Sequence, residues 1–350
     1  MKRFFSDTWA STRAFRPVLG VVIFLCILFS IWQPGFRTAL NIQNILSSIA
    51  SLWIVSMGMT LVLVSGGFDL SVGSISTVSG IFLAKVVATG HMPGPLAIIL
   101  AIIVAAVIGG VLNGIFVGVF RLSVFVVTLA SMTALTGVAL IWTNTQSVYV
   151  TNSAINAMSV SRVGGIQTPI FVMIVVFILF LFVQKRTYFG RDIYATGGSY
   201  TAARLSGIRT NRTLIAVYAV VGACAGLGGV IAVGRTGAAV PNVDPNLALQ
   251  SVAAVLLGGT ALTGGYGSVV GTIFGALFIG ILQNGLNLIG VGSAWQYVVT
   301  GVILLVSVLG ARVGAGRGRV AGRLIKALQQ RGTAPEACAV DVPAGGDSDK

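Results

Sequence analysis

Runs of eighteen or more residues with few or no charges recur along this chain from residue 17 to residue 311. Each is long enough to cross roughly 30 Å of hydrocarbon as a helix. A backbone in lipid has no water to bond, so it must satisfy its own N–H and C=O groups, and that requirement predicts helices throughout. Ten apolar segments can be placed, at about 17–33, 46–65, 71–88, 96–120, 123–142, 169–184, 214–234, 247–262, 269–289 and 295–311. The third and eighth are short and broken by glycine, which suits half-helices or re-entrant pieces. The fold class expected is an all-α polytopic membrane protein with about ten transmembrane helices, some short or broken.

Charge tests the count. With residue 1 inside, eighteen of the 22 Lys and Arg residues fall in inside segments; Arg37, Lys85, Arg162 and Arg235 fall outside. Cytoplasmic loops carry the excess of Lys and Arg, so ten crossings with both ends cytoplasmic fit best. The net charge of +14 is spread over these short flanks and tails. It therefore speaks for contact with anionic lipid and against nucleic acid. The expected layout is a basic N-terminus (1–16), a membrane domain (17–311) and a basic, then disordered, C-terminal tail (312–350). The first apolar run lacks a small-residue cleavage site, so it reads as a retained span. Cys26, Cys224 and Cys338 show no disulfide or metal spacing. Trp32, Trp53, Trp142 and Trp295 read as interface anchors.

One polar island interrupts the apolar pattern. Residues 185–213, KRTYFGRDIYATGGSYTAARLSGIRTNRT, hold six basic residues and one acid, Asp192. A bare connection between spans needs only a few residues. Ser199 can cap a short helix over Tyr200–Ser206, and Gly207 can end it. Ala202, Ala203 and Leu205 give that helix a small apolar surface, flanked by Arg204 and Arg209. A helix this short is not stable alone, so it needs a partner surface. The bland alternative is a segment resting on lipid headgroups, but no Trp or Phe anchors that helix.

Two further stretches stand out. In Gly66-Gly67-Phe68-Asp69-Leu70-Ser71-Val72-Gly73, Asp69 is the single acid between Asp7 and Asp192. An unpaired carboxylate in the bilayer costs a few kcal/mol (about 3), so Asp69 should be paired, near a boundary, or capping a helix. A gate residue on the translocation path is the functional reading, and an N-cap that fixes a broken helix is the structural one. Leu257-Gly258-Gly259-Thr260 through Gly264-Gly265 echoes the paired glycines, and Asn113-Gly114 is echoed by Asn284-Gly285. Spans two to five and seven to ten would then form an inverted repeat.

Several chemistries lack their residues. No G-x-x-x-x-G-K-[ST] loop occurs, so ATP hydrolysis belongs elsewhere. A single histidine, His91, gives no His cluster for a metal, and no cofactor is expected. The spans lack the Asp/Glu/His chain of a proton-coupled carrier.

These residues resemble the permease subunits of bacterial ABC importers of the ribose/monosaccharide type, over about residues 40–310. The likeness is carried by Gly67-Phe68-Asp69-Leu70-Ser71-Val72-Gly73, Asn113-Gly114 with Val127-Thr128-Leu129, Phe189-Gly190-Arg191 and Ala195-Thr196-Gly197-Gly198. It continues through Ala202-Ala203-Arg204-Leu205-Ser206-Gly207-Ile208, Ala253-Ala254-Val255 with Gly258-Gly259-Thr260, and Asn284-Gly285-Leu286. The resemblance implies that Tyr200, Ala202, Ala203, Arg204, Leu205, Ser206, Gly207 and Ile208 form a coupling element that docks on a separate ATPase. It implies that Gly66, Gly67, Asp69, Ser71, Gly73, Gly258 and Gly259 belong to a gate or broken-helix element. It also implies a periplasmic sugar-binding protein, a second permease copy (the same chain or a paralogue), location in the inner membrane, and a fold similar to cobalamin-type importers. Ribose or another monosaccharide is the leading substrate; a furanose-like signalling molecule, nucleosides and sugar alcohols are alternatives. The chain departs from the pattern at Arg121-Leu122-Ser123-Val124-Phe125, which lacks a proline, and at Leu247-Ala248-Leu249-Gln250, which lacks acids. A stand-alone or ion-coupled facilitator is the competing class, and a scaffold without transport is the third.

Overall fold

The computed structural model describes residues 2–242, 245–292, 294–303, 305 and 306, with side chains from residue 17 on except that of Pro245. The tail at 312–350, with Cys338, and the end of the tenth apolar window lie outside the described residues.

The chain is mostly helical. Helix α1 (Lys2–Trp32) is followed by a single 3-10 turn and then by α2 (Ala39–Ser48), α3 (Ala50–Val64) and α4 (Val72–Ala88). Helix α5 (Gly94–Ile108) continues through a π-helical turn, Gly109–Ile115, to Gly118. Next come α6 (Val124–Thr143), α7 (Ser153–Ser159) and α8 (Thr168–Arg186). The island holds α9 (Tyr188–Gly198) and α10 (Tyr200–Leu205). Then follow α11 (Thr210–Thr236), α12 (Pro245–Leu257), α13 (Val269–Leu288) and α14 (Ala294–Ile303). Two small antiparallel pairs complete it: β1 (Val148–Tyr149) with β4 (Ala238–Ala239), and β2 (Arg162–Val163) with β3 (Ile166–Gln167).

Each of the ten apolar windows falls on a helix. By length and composition, five described helices can cross a membrane, or six if α2 and α3, bent by 45°, make one span. The segment Pro17–Trp32, α4, the part of α12 from Asn246 and α14 are shorter apolar helices. The third and eighth windows are short as expected, but among the described residues the first and tenth are short as well. The eighth stops at Leu257 rather than 262. Helix α1 starts at Lys2, so the helix takes in nearly all of the N-terminal stretch set apart as a basic tail.

α11 is the centre of the bundle. Two thirds of its apolar window is buried (67%), against 22% for α8 and 28% for α6. α11 packs on α3, α4 and α5. The approach to α5 is by backbone: a Cβ at Gly109 would overlap the Tyr218 carbonyl oxygen, and one at Gly222 that of Ala105. Such close crossings let dispersion hold helices together where lipid is as apolar as the side chains. Outer helices instead carry exposed apolar side chains, among them Ile99, Ile103, Phe125, Val126, Val175 and Phe182. α1 joins through a second cluster, in which Phe29 lies against Gly285 of α13. Trp53 departs from its expected role. It is buried in the main core with no partner for Nε1 among the described residues, so it is a core residue and not an interface anchor.

Candidate functional site: the island face and the joint beneath it

The island is built as two short helices at one end of α11. Ser199 is extended (φ −162°, ψ 108°), and its side chain accepts the Ala202 N–H at 3.3 Å. Gly207 (φ 86°) ends α10: its N–H reaches Arg204 O, and Ile208 N–H reaches Ala203 O. Ala203 alone turns inward. Ala202, Arg204, Ser206 and Gly207 are exposed, and Leu205 is 85% exposed. Tyr200 is half-buried and fixed on two sides. Its hydroxyl donates to Asn211 Oδ1 at 2.8 Å, and the Arg121 guanidinium lies 3.4 Å over its ring. Arg121 also donates to Asn211 Oδ1, at 3.1 Å. Burial first, and the neighbouring Arg204 second, pull the Arg121 guanidinium below its ordinary value. Arg121 itself sits at φ 59°, where its side chain is carried back over the island.

Beneath this face, three glycine pairs far apart in sequence meet. A Cβ at Gly197 would overlap the Val64 carbonyl oxygen, which already accepts Gly265 N–H at 2.8 Å. A Cβ at Gly264 would stand 2.8 Å from Gly66 Cα and 2.9 Å from Gly197 O. The main chains of the island, the end of α3 and the loop before α13 therefore touch directly. Tyr194 of α9 ties the same joint by donating to Gly267 O and accepting from Gln184. Burial pushes its phenol up to about 12.

The echo between Gly66-Gly67 and Gly258-Gly259 has a local explanation. Gly66 (φ 88°) closes α3 with Gly66 N–H to Leu63 O and Gly67 N–H to Val62 O. Gly259 (φ 86°) closes α12 with Gly259 N–H to Leu256 O and Thr260 N–H to Val255 O. Both are Schellman stops, which need a left-handed residue after the last turn. Gly258 also meets α13 where a Cβ would overlap Gly271.

Asp69 is fully buried and well partnered. Its Oδ1 accepts the Ser71 N–H (2.8 Å) and hydroxyl (2.6 Å), and its Oδ2 accepts Asn113 Nδ2 at 3.0 Å. Asn113 also donates to Ser71 Oγ and accepts from Ser131 Oγ, both at 2.7 Å. The N-cap expectation needs correcting by two residues: Ser71 is the N-cap of α4, and Asp69 forms a side-chain turn ahead of it. Its second partner comes from the π-helical turn of α5, a link that no local motif announced. Gly73 is buried in the first turn of α4. Gly66 thus meets the island at Gly197, Asp69 and Ser71 meet Asn113 of the π-helical turn, and Gly258 sits at the α12–α13 crossing.

Residues 41–308 match the family described as "Branched-chain amino acid transport system / permease component". The chain belongs to this permease family. It is 41% identical over 295 residues to the ribose import permease protein RbsC of Bacillus subtilis (strain 168), covering 84% of this chain and 91% of that one. It is 37% identical over 313 residues to the RbsC protein of Escherichia coli (strain K12), covering 88% and 96%. It is 40% identical over 293 residues to the probable ABC transporter permease protein YphD of the same strain, covering 83% and 87%. No solved structure matches the chain. Permease membership agrees with the apolar helices and makes the chain a multi-pass membrane subunit.

Proposed function

We propose that this chain is the membrane-spanning subunit of an ATP-driven importer of a monosaccharide, ribose first. The carrying observation is α10, a six-residue helix held by Ser199, Tyr200 and Asn211 that turns only Ala203 inward and leaves Leu205 85% exposed. A helix of six residues is not stable by itself, so one that is capped, anchored through Tyr200 and turned outward is explained by a partner that docks on it. The relatives named as ribose permeases support the substrate. The partners are a separate ATPase with two nucleotide sites, a periplasmic sugar-binding protein, and a second permease copy, identical or paralogous. We infer about ten crossings per subunit with both ends cytoplasmic, in an arrangement similar to cobalamin-type importers.

Closure of the ATPases pushes α10, and the push reaches α3, α9 and the loop before α13 together through the glycine joint. The helix bundles rock, and access switches from the outer face to the inner one. The chain supplies geometry and makes no bonds. Asp69 with Ser71 and Asn113 holds the α3–α4 turn in register as this happens.

The test is reconstitution in liposomes with the ATPase and binding protein. Ribose uptake should need ATP and both partners. Arg204→Glu with Leu205→Asp should cut uptake at least about ten-fold and abolish the binding protein's stimulation of ATP hydrolysis, with insertion unchanged. Normal uptake by that variant would refute the coupling role. Rapid flux through the lone chain would instead favour a stand-alone facilitator.

A further inference from the structure

A cavity of about 410 Å³ opens at the end of the bundle away from the island. α11 fixes that placement. It leaves the island at Thr210 and runs 27 residues, roughly 40 Å, to bring Arg235 in its last turn to the cavity wall. The size lies within the range of small-molecule sites, about 300–1,000 Å³.

Six carboxamides line it: Asn44, Gln167, Gln283, Asn284, Asn287 and Gln296. They come from α2, the β3 strand, α13 and α14. Hydrogen bonds fix five of them. Gln167 donates to Asn44 Oδ1 at 3.3 Å, Gln296 to Asn287 Oδ1 at 2.7 Å, and Asn284 exchanges two bonds with Asn41 at 3.0 Å. The β2–β3 hairpin, turned by Gly164 and Gly165, sets Arg162 opposite Gln167. Arg235 is held by Ser48 O at 3.1 Å. Ser159, 1% exposed, also lines the cavity, and its Oγ has no hydrogen-bond partner among the described residues.

The donor set selects a chemistry. A carboxamide offers two N–H groups and a carbonyl oxygen, so each one bonded once still has capacity to donate and accept. A ring of them suits a solute that carries several hydroxyls, each both donor and acceptor. Val160 is the one apolar side chain among the described lining residues, so a branched aliphatic side chain finds no slot. Asp, Glu and aromatic residues are absent from that lining too. Without an aromatic face to stack on, the solute is held by hydrogen bonds that water can replace, which suits brief residence.

We propose that this cavity, which Arg162 and Arg235 also line, is an outer-face subsite for a polyhydroxylated solute of monosaccharide size, read by Asn44, Gln283 and Asn287. The proposal rests on the sugar-import reading above and adds the residues that meet the solute.

The experiment uses the full complex in liposomes, with ribose and 2-deoxyribose as probes. Asn287→Leu and Gln283→Leu should each lower ribose uptake about ten-fold, as loss of one or two solute hydrogen bonds implies. The preference for ribose over 2-deoxyribose should narrow, and the binding protein's stimulation of ATP hydrolysis should stay within about two-fold. Gln283→Asn should recover most of the uptake. If a leucine variant fails to insert, Gln296→Ser takes its place with the same readouts. Wild-type uptake and preference in all of these variants overturns the subsite alone. So does loss of uptake that always accompanies loss of ATPase stimulation, because the cavity would then be serving partner docking. A wild-type complex that carries no sugar, or carries an anion instead, overturns the sugar-import reading and the subsite with it.

Discussion

Asp69 shows how a carboxylate is kept inside an apolar bundle. Its three bonds to Ser71 and Asn113 supply what water would have given. Asp69→Ala leaves a buried N–H and an amide without an acceptor and should cost about 2–3 kcal/mol. Asp69→Asn keeps an oxygen for Ser71 but turns an NH2 toward Asn113 Nδ2, so it should cost about 1–2 kcal/mol, less than alanine. Thermal unfolding in detergent compares them, and equal losses would show that the bonds are not what matters. The sequence made the need for a partner readable, because a lone acid between Asp7 and Asp192 demands one. It did not reveal which partner, since Asn113 lies 44 residues away on a π-helical turn. Gly197→Ala is the sharper case. The added methyl overlaps the Val64 carbonyl, which cannot retreat without breaking its bond from Gly265. A loss of about 2–4 kcal/mol is expected, seen as a lower melting temperature of the purified chain. Gly198→Ala, where a Cβ meets nothing within 4 Å, should be near neutral.

Among elements, α10 is the one whose ends were legible in advance, because Ser199 and Gly207 are chemically suited to start and stop a helix. Leu205→Ala should change the stability of the isolated chain by no more than about 0.5 kcal/mol, since the side chain touches little. The same change should weaken co-purification with the ATPase about ten-fold or more. A matching loss in both measurements would mark Leu205 as structural. Ser199→Ala should cost about 1 kcal/mol by removing the cap to Ala202 N–H, read from hydrogen exchange of the island amides. The β2–β3 hairpin and α7 went unread. Two-residue strands leave almost no periodic signal, and Gly164-Gly165 reads as any loop until Arg162 and Gln167 are seen to face each other. Trp53 misled for a related reason: proximity to the end of an apolar window does not tell which way a side chain points.

At the scale of the whole molecule, apolar length fixed where helices form and charge asymmetry fixed an orientation to test. Cysteines placed at residues 164 and 205 should react with a membrane-impermeant thiol reagent from opposite sides, 164 from outside intact cells and 205 only after permeabilisation. Reaction of both from one side would remove the ten-crossing scheme. The convergence of Gly66, Gly197 and Gly264 was not legible, because the partners are 131 and 67 residues apart and glycine carries no side chain to hint at a mate. Helices drawn from sequence are placed one at a time, and this contact exists only once all three are assembled.

That joint has one property that a packed core lacks. A pocket of leucines can be loosened or tightened by swapping one for valine or methionine, whereas main chain pressed on main chain offers no intermediate setting. Tuning how strongly a motor drives this subunit must therefore happen at the outward side chains of α10, where residues can vary, leaving the hinge below as a part that either transmits or fails.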